Sequence, residues 1–323
     1  MKLLFVFTGG TIGTAASEST LSLDKEKPYA LLKEYAVRYP VDFTYDTRSP
    51  FYELSENLTG EHISAILQTV SLQIEGYDGV IVTHGTDTLG YTAAALGYAL
   101  GSDCAPICLV SAAYPIEDAR SNAVANLHAA VTLIRTRAHR GVFVPYRDEG
   151  KDIVFIHRAT RLDATLPFSG ALCSTGNVPY GSVRAGIFTK NPAYAEAPDA
   201  LDAPPLALTA QAPVLRVGAY PGMHYPAIPD GVRAILLDAY HSGTVNTKSE
   251  AAHAFLREAR ERRIPVFLTG ATGGAMYEST HALGAYGVIP LVRISPIAAY
   301  MKLWLFADAD GALMHASRGG DLF

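Results

Sequence analysis

The sequence predicts an α/β protein, with a larger, doubly wound, mainly parallel sheet in an N-terminal domain and a smaller α/β domain after it. Three observations carry that expectation. Short apolar runs are followed by Gly, Thr or Ser turns and then by alanine-rich helical stretches, the alternation that gives a parallel sheet with helices on both faces. Over 191–213 the composition shifts to Ala, Pro and Asp with weak periodicity, as in a linker. The length of 323 residues, at roughly 150 per domain, suits two domains and allows a sizeable core.

Taken in order, a first strand is expected at 3–7, where Leu3, Leu4, Phe5, Val6 and Phe7 are uninterrupted by charge. Helices follow at 29–39 and 60–75, a strand at 79–83, a helix at 92–100 and a strand at 106–110. In the helix expected at 121–135, Ala123, Leu127, Ala130, Val131 and Ile134 recur at the three-and-four spacing of one apolar face, which reads as core packing. Pro192, Pro198, Pro204, Pro205 and Pro213 punctuate the linker. Beyond it come strands at 214–217 and 234–238, a helix at 247–262, a strand at 265–269 and a short helix around Thr280. The domains are therefore expected at 1–190 and 214–323, and no internal repeat stands out.

Composition excludes several classes. With 49% hydrophobic and 18% charged residues the chain is not disordered. A formal net charge of -5 leaves no basic excess to neutralise phosphates, so no nucleic-acid partner is expected. Cys104, Cys108 and Cys173 are an odd number in a chain long enough to fold without disulfides, which fits a reduced compartment. The apolar run after Met1 and Lys2 is too short for a signal peptide, and no stretch approaches the ~20 apolar residues of a membrane span. A cytoplasmic protein with no membrane partner is expected.

In open α/β sheets ligands bind beyond the carboxyl ends of strands. Two such turns look alike: Thr8-Gly9-Gly10-Thr11-Ile12-Gly13-Thr14 and Thr83-His84-Gly85-Thr86-Asp87-Thr88-Leu89. Their glycines permit sharp turns and close backbone approach, and the threonine hydroxyls can serve as nucleophile or hydrogen-bond partner. Asp87 and Thr88 precede an expected helix, whose first N–H groups can hold an anion or a developing oxyanion. Together the segments suggest threonine-based acyl transfer. Each alone also reads as a helix cap or a glycine turn. Gly9, Gly10 and Gly13 have the wrong spacing for a dinucleotide fingerprint, and the P-loop lysine is absent. Neither a paired-histidine motif, nor a second cysteine pair, nor a serine-hydrolase elbow occurs. No cofactor and no metal are expected.

Taken together, the two threonine segments, with Arg120-Ser121-Asn122, Asn126-Leu127, Tyr220-Pro221-Gly222 and the segment 234–246, resemble the bacterial-type L-asparaginase family in its cytoplasmic type I form, over nearly the whole chain. The resemblance implies a cofactor-free hydrolase that releases ammonia from a side-chain amide of an amino acid through an acyl-threonine intermediate. It makes Thr11 the primary nucleophile, Thr86 the second catalytic threonine and Asp87 the carboxylate that orients the site and binds the α-ammonium. It places Ser55 at the α-carboxylate with Glu56 beside the ammonium, Gly10 and Gly85 in the binding turns, and the chain in a homodimer or homotetramer.

The departures from the family pattern are specific. In Arg158-Ala159-Thr160-Arg161 the resemblance puts Arg161 where a catalytic lysine belongs; arginine cannot act as a general base but can stabilise charge. No tyrosine occurs between Thr11 and Tyr29, Leu21 falling near the place of the family's loop tyrosine, and Ser121-Asn122-Ala123 replaces Ser-Asp-Gly. Three readings stay open: an asparagine amidohydrolase, a ligand-binding or regulatory protein with an impaired relay, and the amidase subunit of a tRNA-dependent amidotransferase, which would carry an extra N-terminal module. In the C-terminal half, Asp238, Tyr240, His241, Ser242 and Thr244, and Thr269, Gly270, Thr272, Gly273 and Gly274, follow expected strands. They suit either a second ligand or caps and turns.

Overall fold

The computed structural model describes residues 1–9, 14–16, 21–23, 27–165, 168–271, 273–274, 276–306 and 309–322. In chain order its first half holds β1 (Lys2–Phe7), a small hairpin β2 (Thr14–Ala16) and β3 (Leu21–Leu23), α1 (Lys27–Arg38), β4 (Thr44–Arg48), α2 (Gly60–Ser71), β5 (Gly79–Thr83), α3 (Leu89–Leu100), β6 (Ile107–Val110), α4 (Ala123–Arg135), β7 (Val142–Tyr146), β8 (Val154–Arg158), β9 (Gly181–Arg184) and β10 (Ile187–Lys190). The second half holds β11 (Val214–Gly218), β12 (Ala234–Asp238), α5 (Glu250–Glu261), β13 (Val266–Ala271), α6 (Glu278–Leu283), β14 (Ile289–Val292), α7 (Pro296–Leu305) and α8 (Gly311–His315).

The larger sheet runs β10-β9-β8-β7-β6-β5-β1-β4. β4, β1, β5, β6 and β7 are parallel to one another, as expected. β8, β9 and β10 pair antiparallel; the connections from β7 to β8 and from β9 to β10 are too short for the crossover helix a parallel strand needs. Alternation along the strands divides the core. Leu4, Val6, Val80, Val82, Ile107 and Leu109 face α2 and α3, whereas Leu3, Phe5, Phe7, Ile81, Cys108 and Val110 face α1 and α4.

The smaller sheet, β11-β12-β13-β14, is parallel throughout. Its Leu236 and Phe267 share a core with α3 and α7, while Ile235, Leu237 and Leu268 pack with Phe255 and Leu256 of α5 on the other face. α7 is apolar but for the buried Lys302 and leaves only Pro296, Tyr300 and Trp304 half-buried, because it packs between α3 and the smaller sheet, so only a weak helical period marks it in the sequence. It starts at Ser295, whose Oγ accepts from Ala298 N at 3.0 Å, with Pro296 in the first turn, where its missing N–H costs nothing.

The residues after α8 leave the smaller sheet and lie against the larger domain. Thr160 Oγ1 donates to Gly319 O at 2.8 Å, and Arg318 donates to the carbonyls of Tyr98, Ala99 and Leu201. At the centre, the fully buried Lys302 of α7 pairs with the equally buried Asp321 at 2.7 Å. Lys302 also donates to Ala316 O at 2.6 Å, and Asp321 accepts from Tyr98 Oη at 3.1 Å and from Arg318 N at 3.0 Å. Burial lowers the Lys302 pKa and raises that of Tyr98.

Removing one member of a buried pair leaves an uncompensated charge, which costs about 3–5 kcal/mol. Lys302→Met is expected to destabilise the protein by that amount in urea unfolding. The double substitution Lys302→Met with Asp321→Asn is expected to be less damaging than the sum of the two single changes.

Candidate active site

Three neighbouring parallel strands, β1, β5 and β6, end on the same side of the sheet, and their turns are tied together. Thr8, buried after β1, donates from Oγ1 to Thr83 O at 2.7 Å. His84 N donates to Val110 O at 3.0 Å, extending the β5–β6 ladder past its last strand residue. Gly9 bridges to Glu53 with φ at +102°, and a Cβ there would lie 2.4 Å from Glu53 O, so the first turn needs glycine. That contact holds the Ser55–Asn57 turn beside β1. The buried Ser55 accepts at its carbonyl from Thr88 Oγ1 at 2.8 Å. Ser55 therefore touches the residue that opens α3, while the Glu56 side chain is exposed.

After β5, Gly85 is buried, Thr86 half-buried and Asp87 exposed. α3 starts immediately afterwards, and its N-terminal end presents partial positive charge toward this turn. Thr86 Oγ1 donates to Ala112 O at 2.9 Å and lies 2.8 Å from the Ser111 hydroxyl. Ser111, Ala112 and Ala113 form the turn after β6. Two asparagines of the α4 start brace this turn. Asn126 Nδ2 donates to Ser111 O at 2.9 Å, and Asn122 Oδ1 accepts from Ala113 N at 2.9 Å. The same asparagines bond the backbone N–H and carbonyl of Arg147, after β7. Asn122, where the resemblance expects a carboxylate, thus needs its amide to serve as donor and acceptor at once.

Thr86 and Asp87 line a cavity of about 600 Å³ together with Tyr146, Glu149, Thr165 and Ser169. Tyr146 ends β7, and burial raises its hydroxyl pKa. Its one sequence signal is its place at the carboxyl end of the apolar run 142–146. Gly10 and Thr11, the binding glycine and nucleophile expected from the sequence, lie outside the described residues. Tyr29 packs edge-on to Phe7 at 5.4 Å, with its hydroxyl 3.5 Å from Thr47 Oγ1, at the β1–β4 edge of the sheet.

The resemblance puts Arg161 where a catalytic lysine belongs, able to stabilise charge. In the structure the buried guanidinium donates to Gly320 O at 2.6 Å, Ala195 O at 2.8 Å and Leu322 O, and lies over the Tyr194 ring. Its fork matches a set of carbonyls that the C-terminal tail and the linker bring to one place. Burial lowers its pKa. These contacts make it a clamp on the tail.

Two buried histidines are neutral. His84 Nδ1 donates to Gly85 O at 2.7 Å, and His157 Nδ1 pairs with Ser174 Oγ at 2.8 Å. Their Nε2 atoms have no hydrogen-bond partner among the described residues. Burial pushes each pKa from 6.5 down to about 4.

In the smaller domain Asp238 is committed to Arg216 Nε at 2.6 Å, and Arg216 reaches Tyr91 Oη of α3 at 2.7 Å. This is a structural link between the sheets. Tyr220, Tyr225, Tyr240 and Asn246 border a separate cavity of about 420 Å³. Thr272 lies outside the described residues.

Residues 2–185 match the family model described as asparaginase, N-terminal. L-asparaginase of Thermococcus kodakarensis is 33% identical over 153 residues, covering 46% of this chain and 45% of that protein. Its solved structure superposes with a TM-score of 0.81 at 23% identity, covering 100% of this chain and 99% of its own, which shows the shared two-domain fold. L-asparaginase 1 of Escherichia coli K12 is 25% identical over 315 residues, 94% of this chain and 90% of its own length. A glutamyl-tRNA(Gln) amidotransferase subunit of Pyrobaculum aerophilum is 27% identical over 330 residues, 95% of this chain and 75% of its own.

Two outcomes are expected from this geometry. Because an unfolded histidine gains its proton near pH 6.5 and these two only near 4, stability is full above 6.5 and falls as pH drops toward 4, by about 3 kcal/mol for each imidazole. Denaturation midpoints across that window test it, and His157→Gln is expected to flatten the slope. Arg161→Lys, which cannot reach all three carbonyls, is expected to lose about 2–4 kcal/mol of stability while the turnover of the folded fraction stays within a few-fold of wild type.

Proposed function

The chain belongs to the asparaginase family, and from that premise we propose that it is an amidohydrolase converting L-asparagine to L-aspartate and ammonia through an acyl-threonine intermediate. The observation that carries this reading is the placement of Thr86 and Asp87 at the carboxyl end of β5, before α3, on one cavity. A hydroxyl held by buried partners, a neighbouring carboxylate and a helix N-terminus are the groups that a zwitterionic substrate with a polarised carbonyl requires.

In the proposed reaction the Thr11 hydroxyl attacks the carboxamide carbon and its proton is carried toward the departing nitrogen. Backbone N–H groups near Thr11 and Thr86 stabilise the oxyanion. Collapse of the tetrahedral adduct releases ammonia and leaves a threonine ester, which water then hydrolyses to aspartate and free Thr11. Asp87 takes the α-ammonium, and Ser55 the α-carboxylate with Glu56 nearby, while Gly10 and Gly85 let the backbone approach. The clamp formed by Arg161 supports a relay that does not run through that residue. We further propose a homodimer or homotetramer in the cytoplasm; among the described residues no helix is long and apolar enough to cross a membrane.

Ammonia release at neutral pH tests the reading, with L-asparagine, L-glutamine and D-asparagine assayed side by side. The similarity to a glutamyl-tRNA(Gln) amidotransferase component makes glutamine the informative competitor, since one methylene in a pocket discriminates by only about 1–3 kcal/mol. Release from asparagine, abolished in a folded Thr11→Ala variant, is the expected result. No release from any amide, with asparagine still raising Tm, would instead identify a ligand-binding protein.

A further inference from the structure

We propose that Ser111 is the positioning residue of this site: its hydroxyl donates to Thr86, keeps the Thr86 proton on the Ala112 carbonyl and leaves Thr86 to act as acceptor toward the reacting amide. The inference rests on the amidohydrolase reading and identifies a residue that none of the motifs singles out.

A threonine hydroxyl has one proton and two lone pairs. The Thr86 proton is directed at Ala112 O, 2.9 Å away. The 2.8 Å contact between Thr86 Oγ1 and Ser111 Oγ must then be donated by Ser111, which occupies one lone pair of Thr86. Among the described residues the other lone pair meets no donor, on a residue that lines the cavity. Donation therefore runs from Ser111 to Thr86 to the Ala112 carbonyl, and Thr86 meets an incoming carboxamide as an acceptor for its N–H.

Ser111 is able to enforce this because it cannot move. It has no solvent exposure, so its proton has no water to choose instead. Its carbonyl is held by Asn126 Nδ2 at 2.9 Å, and Asn126 Oδ1 is itself held by Arg147 N at 2.8 Å. Two residues on, Ala113 N is fixed by Asn122 Oδ1 at 2.9 Å. Among the described residues, the hydrogen bonds of the Thr86 side chain go to Ser111 and Ala112. Among the described residues no charged group shares the task, so there the direction of this hydroxyl chain sets the polarity of Thr86. A side-chain ester of the same length offers no N–H to that acceptor, so the arrangement favours amides over esters.

The test compares wild type, Ser111→Ala and Ser111→Thr on L-asparagine and on the β-methyl ester of L-aspartate, with kcat, KM and Tm measured for each. We expect Ser111→Ala to lower kcat on asparagine at least tenfold, with KM within about twofold and Tm nearly unchanged. On the ester its loss should be less than threefold. Ser111→Thr, which keeps a hydroxyl, should recover most of the amide turnover. An active wild type with Ser111→Ala at unchanged kcat overturns the proposal and leaves the amidohydrolase reading standing. So does an equal loss on amide and ester, or a fall in activity that tracks a fall in Tm, since either marks a merely structural role. A wild type inactive on asparagine, glutamine and D-asparagine removes the functional reading itself, and the proposal with it.

Discussion

Three parallel strands that end at one level are the constraint on which the rest of the molecule depends. Along β1, β5 and β6 the side chains alternate between two helix-covered faces, so none of the three can slip by a residue without inverting its burial. With the strands locked, their turns are locked too. Thr8 reaches Thr83, His84 reaches Val110, and Thr86 reaches Ser111 and Ala112. A polar site is thereby assembled at the rim of an apolar sheet from segments up to about a hundred residues apart, with little left to loop flexibility.

The second organising element is the C-terminal tail. Arg161, Arg318 and the Lys302–Asp321 pair convert a segment without regular structure into a buried seam among α3, α7 and the linker. Such a seam gives directionality at some expense of stability, because buried charges must be matched by carbonyls and counter-ions with good geometry. It also explains why a large cation follows β8. The arginine fork answers several backbone acceptors along fixed planar directions, a geometry that a lysine ammonium on a flexible stem does not offer. The residue that most disturbs the family-like catalytic pattern is thus explained by folding.

Much of the larger domain was legible because its strands are short apolar runs bounded by Gly and Thr, and its helices carry periodic alanines. β4 was not, since Thr44-Tyr45-Asp46-Thr47-Arg48 is an exposed edge strand with a polar sequence. β8 to β10 were not, since nothing local in 154–190 announces a change from parallel to antiparallel pairing. α7 is illegible for the opposite reason: mostly buried, it shows only a weak amphipathic period. Within the site, Thr86 and Asp87 stood out because glycine, threonine and aspartate together after an apolar run are a chemical signature. Ser111 and Tyr146 did not, because a lone serine or a strand-ending tyrosine carries no signature until its neighbours are known.

The sequence by itself determined the fold class, the two-sheet organisation, the family and the threonine turn proposed as the site, all of which follow from local period, turn residues and motif. Only the tertiary structure decided how that turn is held, which partner each hydroxyl takes, and that Arg161 faces the tail. The physical reason is that hydrogen-bond partners are chosen by distance in space. Ser111 and Thr86, or Arg161 and Gly320, share no spacing rule along the chain, and only the closed sheets and the returning C-terminus bring their atoms within reach.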